Sequence, residues 1–322
     1  MRSGRKCIAI ALLLLTAAAP LGAAQYPTKV VRYLMGEGAG SGNDIFGRIV
    51  AGGLTDMWGQ QVIVDNRPGA AQRIAAEIAA KAPTDGYTLL HMSATLAANI
   101  SLYKSLPYDL LRDFAPVTLL AVTPAIVTVN PALPIKSIGE LIQFAKAKPG
   151  TLNFSSAGTG SRSFVDAALF VSMAGINMVH VPYKGGGEAL TAVVAGEMAL
   201  MFPPIVTALP HMRAGRLRGL AVSSSERMPL LAEVPTIAEA GVPGYSSSGW
   251  YGLVVPAKTP KETIAVIHRS VIATMKRPDI SKRLIELGTI PVGNTPEEFA
   301  QYIKADIELQ AKVFKAAGIT AN

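Results

Sequence analysis

The residues best placed to do chemistry stand in a short glycine-rich run, MGEGAGSGND, with glycines at 36, 38, 40 and 42. The run follows the apolar stretch VVRYLM and precedes a helical pattern. A strand, a glycine turn and a helix start bring unpaired backbone N–H groups to the positive end of a helix dipole, which is an anion site. The same residues also suit a plain strand-to-helix turn. A nucleotide is disfavoured, because G-x-G-x-x-G would need glycine where Ser41 or Asn43 stands, and no lysine follows to complete a Walker loop.

Catalytic sets are sought next. His91, His180, His211 and His268 are isolated, without an H-E-x-x-H pair or an acidic cluster of metal spacing, so neither metal nor cofactor is expected. Ser101 and Lys104 match S-x-x-K, but the S-D-N and K-T-G that accompany it in penicillin-interacting enzymes are missing. Glu297 and Glu298 sit at a helix start, where the dipole favours them. No G-x-S-x-G elbow occurs. This is the inventory of a binding protein rather than an enzyme.

The chain opens with Arg2, Arg5 and Lys6, an apolar run from Ile8 to Ala19, and small residues up to Ala24. That pattern reads as a secretory leader over 1–24, cleaved so that the mature chain begins at Gln25 and works in the periplasm. Cys7 leaves with it, and no cysteine remains for disulfides, thiol catalysis or metal. The net charge of +8 falls by three with the leader. Basic residues form no run longer than two and do not interleave with aromatics, so nucleic acid is not an expected partner.

The elements that must position these residues alternate: short β-type runs and helical segments, an α/β pattern of mostly parallel strands flanked by helices. KVVRYLM, QQVIVD and DGYTLLHM read as strands, the last stopped by a polar loop SAT. FAPVTLLAVTPAIVTVN is interrupted at Pro124, where a crossing between lobes is expected. A second set begins at Ser137, whose hydroxyl and Glu140 form a capping box, and includes strand LNFSSA, turn GTGS and helix RSFVDAALFVSMAG. SSSGWYGLVVPA returns as a strand, and the C-terminal part is helical. The expected division is lobe I over 25–124 and 248–322, lobe II over 125–247, with a cleft between.

Several motifs occur in order: the glycine loop before Asn43-Asp44, then NRPGA at 66–70, DGYTL at 85–89, SLYKSLPYD, HVPYKG, ALPHMRAG and VPTIAEAG. From Tyr26 to about Ile319 the chain closely resembles the periplasmic substrate-binding proteins of tripartite tricarboxylate transporters, the Bug-type receptors. The resemblance implies a two-lobed clamshell that closes on a small carboxylate and delivers it to membrane permease subunits, as a monomer. It implies ligand contacts at Gly40, Ser41, Gly42 and Asn43 in one loop, and at Ala157, Gly158, Thr159, Gly160 and Ser161 in the other. Ser93 and Thr95 resemble a further hydroxyl contact, and Tyr183 and Lys184 resemble the cleft edge, or else belong to a solvated loop.

Three departures bear on specificity. Gly36-Glu37-Gly38-Ala39 stands where relatives usually show an aromatic flanked by prolines, and Glu37 either points outward or pairs with a ligand cation or a neighbouring arginine. Arg73 and Arg162 adjoin the two loops and either grip a carboxylate or lie on the surface. Pro203 and Pro204 stand where amino-acid-binding relatives place an acid, which disfavours an amino-acid ligand. Phe164 replaces a frequent histidine and makes that wall more apolar. The ligand class stays open among short dicarboxylates, citrate-like acids and aromatic acids such as phthalate. A sensory role beside a membrane kinase, and a secreted hydrolase using the same cleft, are the alternatives.

Overall fold

The computed structural model describes residues 26–316 with Gly318 and Ile319; the leader, Cys7 and the cleavage point lie outside the described residues. Two sheets organise the chain. The first contains β1 (Val31–Met35), β2 (Val62–Asn66), β3 (Thr88–Ser93), β4 (Phe114–Pro124), β10 (Ser248–Pro256) and β11 (Ile290–Pro291), in the order β11-β4-β10-β3-β1-β2. The second contains β5 (Ile126–Val129), β6 (Asn153–Ser156), β7 (Val179–Pro182), β8 (Leu200–Met201) and β9 (Arg218–Val222), in the order β7-β6-β8-β5-β9. β10 is antiparallel to β3 and β4, β11 to β4, and β5 to β8 and β9, while the remaining pairs are parallel.

The strands of the first sheet are apolar on both sides because helices cover both faces. Successive side chains alternate. Tyr33, Met35, Leu89 and Leu253 pack on one face with α1 (Gly42–Trp58) and α8 (Lys261–Lys276). Leu34, Leu90, Trp250 and Val254 pack on the other with α2 (Arg73–Ala80) and α3 (Ala94–Leu102). The second sheet is covered by α4 (Ile138–Ala147), α5 (Arg162–Ala174), α6 (Gly186–Val194) and α7 (Ile205–Arg213), with Phe154, Phe170 and Phe202 in its largest core cluster.

Three details differ from the sequence expectation. SAT is no loop, since α3 begins at Ala94 directly after β3. The Ser137 box is formed, but Glu140 receives the N–H of Lys136 at 2.7 Å rather than that of Ser137. The last helix, α10 (Pro296–Ala316), follows α9 (Pro278–Glu286) and belongs to both lobes rather than to lobe I alone. Its Phe299 and Ile303 enter the core with Trp250, whereas Val313 and Phe314 enter the core with Phe154 and Phe170. Gly252 on β10 is required here, because a Cβ would collide with the Phe299 ring.

Candidate functional site

The carboxyl ends of β1, β3 and β6 run into α1, α3 and α5, and these helix starts meet at one cavity of about 210 Å³. Such strand ends, beside a change of strand order, are where open α/β sheets bind ligands. Lobe I contributes Glu37, Gly42, Asn43, Ser93 and Thr95; lobe II contributes Ala157, Ser161, Arg162 and Ser163. Ser41, Thr159, Gly160 and Lys184 line the adjoining mouth, which shares Glu37, Thr95, Ala157 and Ser161 with the inner cavity. Leu102 of α3 rests against Gly160, so the lobes touch across the mouth.

Each loop settles its own backbone and leaves a pair of donors unspent. On the lobe I side Ser41 caps α1 by accepting from Asp44 N–H at 3.2 Å. Asp44 Oδ2 accepts from Gly40 N–H at 2.8 Å and Arg48 Nε at 2.9 Å, while Oδ1 accepts from Asn66 at 2.9 Å. Burial works against the Asp44 charge, yet these donors hold its carboxyl below the usual range. Gly40 is exposed with its N–H already used, so it does not reach the cavity. Gly42 and Asn43, in the first turn of α1, keep N–H groups with no acceptor among the described residues.

The lobe II loop follows the same plan. Ser161 caps α5 by accepting from Phe164 N–H at 3.4 Å and lies 3.1 Å from Ser163 Oγ. Ala157 N–H is spent on Ser163 Oγ and Gly158 N–H on Ser156 Oγ, each at 3.1 Å, so Gly158 falls outside the cavity and Ala157 lines it without offering its amide. Arg162 and Ser163, at the start of α5, keep N–H groups with no acceptor among the described residues. Around these donors stand apolar walls from Phe202, Val206 and Trp250, and the Tyr251 hydroxyl, which burial foremost, and then Glu37, keep protonated.

The charged residues resolve differently from one another. Arg162 is held by acidic neighbours: its guanidinium is buried against Asp166 at 2.5 Å, bonds Ser247, and lies 3.9 Å from Asp306 on α10. Burial opposes its charge, but the two carboxylates outweigh that and hold it firmly protonated. Arg73 is outside the cavity, with Nε on the Ala70 carbonyl and its guanidinium stacked 3.8 Å from the Tyr103 ring centre. Glu37 faces the cleft rather than solvent, and neither arginine is its partner. Its Oε1 accepts from Gln72 Nε2 at 2.8 Å, and burial pushes its carboxyl above the usual range.

Other expected contacts move as well. Tyr183 is half-buried against the cluster of Ala189, Leu190 and Val193, and only the exposed Lys184 reaches the mouth. Pro203 is buried, its carbonyl accepting from Ile126 N–H at 3.0 Å, and its neighbour Pro204 lines the cavity instead. Phe164 packs 4.6 Å from the His180 ring inside lobe II rather than on the cleft wall. Sequence reasoning passed over Gln72, Ser163, Asp166, Trp250 and Tyr251. The two aromatics had a signal, since they open the strand that returns across the cleft; Gln72 had none.

Among the described residues no helix is long and apolar enough to cross a membrane, and no cluster of three or more metal-ligating side chains occurs. Residues 46–319 match the model of the tripartite tricarboxylate transporter family receptor. Protein BugT of Bordetella pertussis is 33% identical over 99% of both chains. The solved structure of R. palustris Rpa4515 with adipate superposes with a TM-score of 0.85 at 34% identity, covering 92% of this chain and all of that one. MatC from Rhodopseudomonas palustris with bound malate gives 0.78 at 30% identity, covering 89% and 99%. The two-lobed α/β fold, the paired helix starts and these matches agree: the chain belongs to the tripartite tricarboxylate transporter receptor family, whose members bind solutes and are not enzymes.

Proposed function

We propose that this chain is a periplasmic receptor that closes around a small organic dicarboxylate and delivers it to a tripartite-type membrane permease. The observation that carries the reading is the convergence of two helix starts, one from each lobe, each with a pair of unspent N–H groups, on one cavity. A carboxylate needs several fixed donors and little reorganisation, and these groups supply both. Gly42 and Asn43 serve one end of the ligand and the amides of Arg162 and Ser163 the other, with hydroxyls of Ser93, Thr95 and Ser161 between. Bound adipate and malate in the two relatives favour a four- to six-carbon diacid over a tricarboxylate. Closure excludes water, which strengthens each hydrogen bond and offsets ligand desolvation. The leader read in residues 1–24 supports the periplasmic placement.

A thermal-shift screen with adipate, malate, citrate, phthalate and a set of amino acids tests this. A diacid at 100 times its dissociation constant adds about 2.7 kcal/mol of stability. Stabilisation by amino acids alone, with none by any diacid, overturns the reading.

A further inference from the structure

Glu37 is a carboxyl placed in a cleft read as a site for carboxylates, and the fold goes out of its way to put it there. Ala70, Ala71 and Gln72 adopt φ of 47°, 52° and 69°, three successive non-glycine residues in the left-handed region. Such a residue is strained unless its surroundings hold it. Asn99 Nδ2 holds this run by donating to the Ala71 carbonyl at 2.9 Å. The result is that Gln72 turns inward, donating one side-chain amide to Glu37 Oε1 at 2.8 Å and to Ser93 Oγ at 2.7 Å. Gly36 makes room for it, since a Cβ there would lie 2.5 Å from Gln72 Cβ.

No cation answers Glu37. It forms no ion pair among the described residues, and its hydrogen-bond partners, Gln72, Ser41 and Asn43, are all neutral. The titratable and charged groups that face it do not neutralise it. Asp44 on α1 is committed to Arg48, and the Tyr251 hydroxyl on β10 stays protonated. Across the cleft Arg162 is committed to Asp166 and Asp306. At the mouth Arg73 stacks on Tyr103, and Lys184 is exposed. A ligand carboxylate held by the N–H groups of Gly42 and Asn43 arrives beside this carboxyl, and two carboxylates at close quarters cannot both remain ionised.

We propose that Glu37 and one ligand carboxylate share a single proton, so that each diacid enters the cleft together with one proton taken from solvent. The proton sits between a Glu37 oxygen and a ligand oxygen, and the pair carries one negative charge in place of two. The idea rests on the carboxylate reading of the site. It gives Glu37 a selective role: the site accepts an acid able to share a proton, while the opposite end of the ligand stays fully ionised on α5.

The test is calorimetric titration with adipate, malate, citrate and phthalate at about pH 7 and about pH 8, in phosphate and in Tris, whose ionisation heats differ. For an acid that binds, wild-type affinity falls about tenfold over that unit of pH and the two buffers report close to one proton taken up. Glu37→Gln, which keeps a donor and drops the charge, shows no slope and binds more tightly than wild type at the higher pH. A flat wild-type profile with no proton uptake overturns the inference while leaving the carboxylate receptor standing. Binding lost in a folded Glu37→Gln at both pH values also overturns it, since the ligand would then bring its own donor to a charged Glu37. If none of the acids binds wild type, both readings fall together.

Discussion

The two glycine loops are built alike in backbone and differ in how their charged residues are paired. Each follows a central strand, each ends in a capping serine, Ser41 or Ser161, and each leaves two N–H groups at a helix start. The lobe II loop pairs its arginine with acids: Arg162 lies between Asp166 and Asp306 beside the cavity. The lobe I loop leaves one ionic residue, Glu37, with neutral partners only. The shared backbone plan provides the anion site. Discrimination between anions therefore has to come from the side that differs, and a charged residue beside a ligand loop is no guide to its role until its partners are known.

The comparison breaks most readily at Arg162. Arg162→Ala strips a buried pair of its cation, so urea unfolding is expected to show a loss of about 3 to 5 kcal/mol. A loss below about 1 kcal/mol would mean that the arginine is exposed and available to a ligand. The two caps sharpen the likeness. Ser41→Ala and Ser161→Ala should each lower stability by about 1 kcal/mol in the same assay, because each removes one N-cap acceptor. Unequal losses would show that their further partners, Glu37 for Ser41 and Ser163 for Ser161, differ in strength. The smallest effect belongs to Arg73, whose half-buried stack on Tyr103 is worth about 0.5 to 1 kcal/mol. Arg73→Ala should leave diacid affinity, read by calorimetry, within about threefold of wild type, under 1 kcal/mol.

Much of the frame was legible because it depends on local pattern. VVRYLM and LNFSSA are apolar enough for buried strands, and Ser41 and Ser161 stand where N-caps belong. The crossing at Pro124 was legible for the same reason, since β4 ends there and β5 begins two residues on. What escaped depends on partners distant in the chain. Arg162 looks like any residue beside a glycine turn until Asp306, brought by α10, is known to lie 3.9 Å away. Gln72 occupies the cleft only because alanines adopt a left-handed backbone, a conformation their composition does not announce. SAT was misread because polar residues after a strand suit a loop and a helix start equally, and the apolar face of α3 lies further on, at Leu96 and Ala97.

The helix that ends the chain has a consequence for the order in which the molecule is made. Domains of a growing chain ordinarily complete themselves in sequence, the earlier one first. Here Phe299 and Ile303 pack into one core cluster and Val313 and Phe314 into another, so neither of these two clusters is complete before α10 has been made. A helix shared in this manner ties the completion of one half to that of the other.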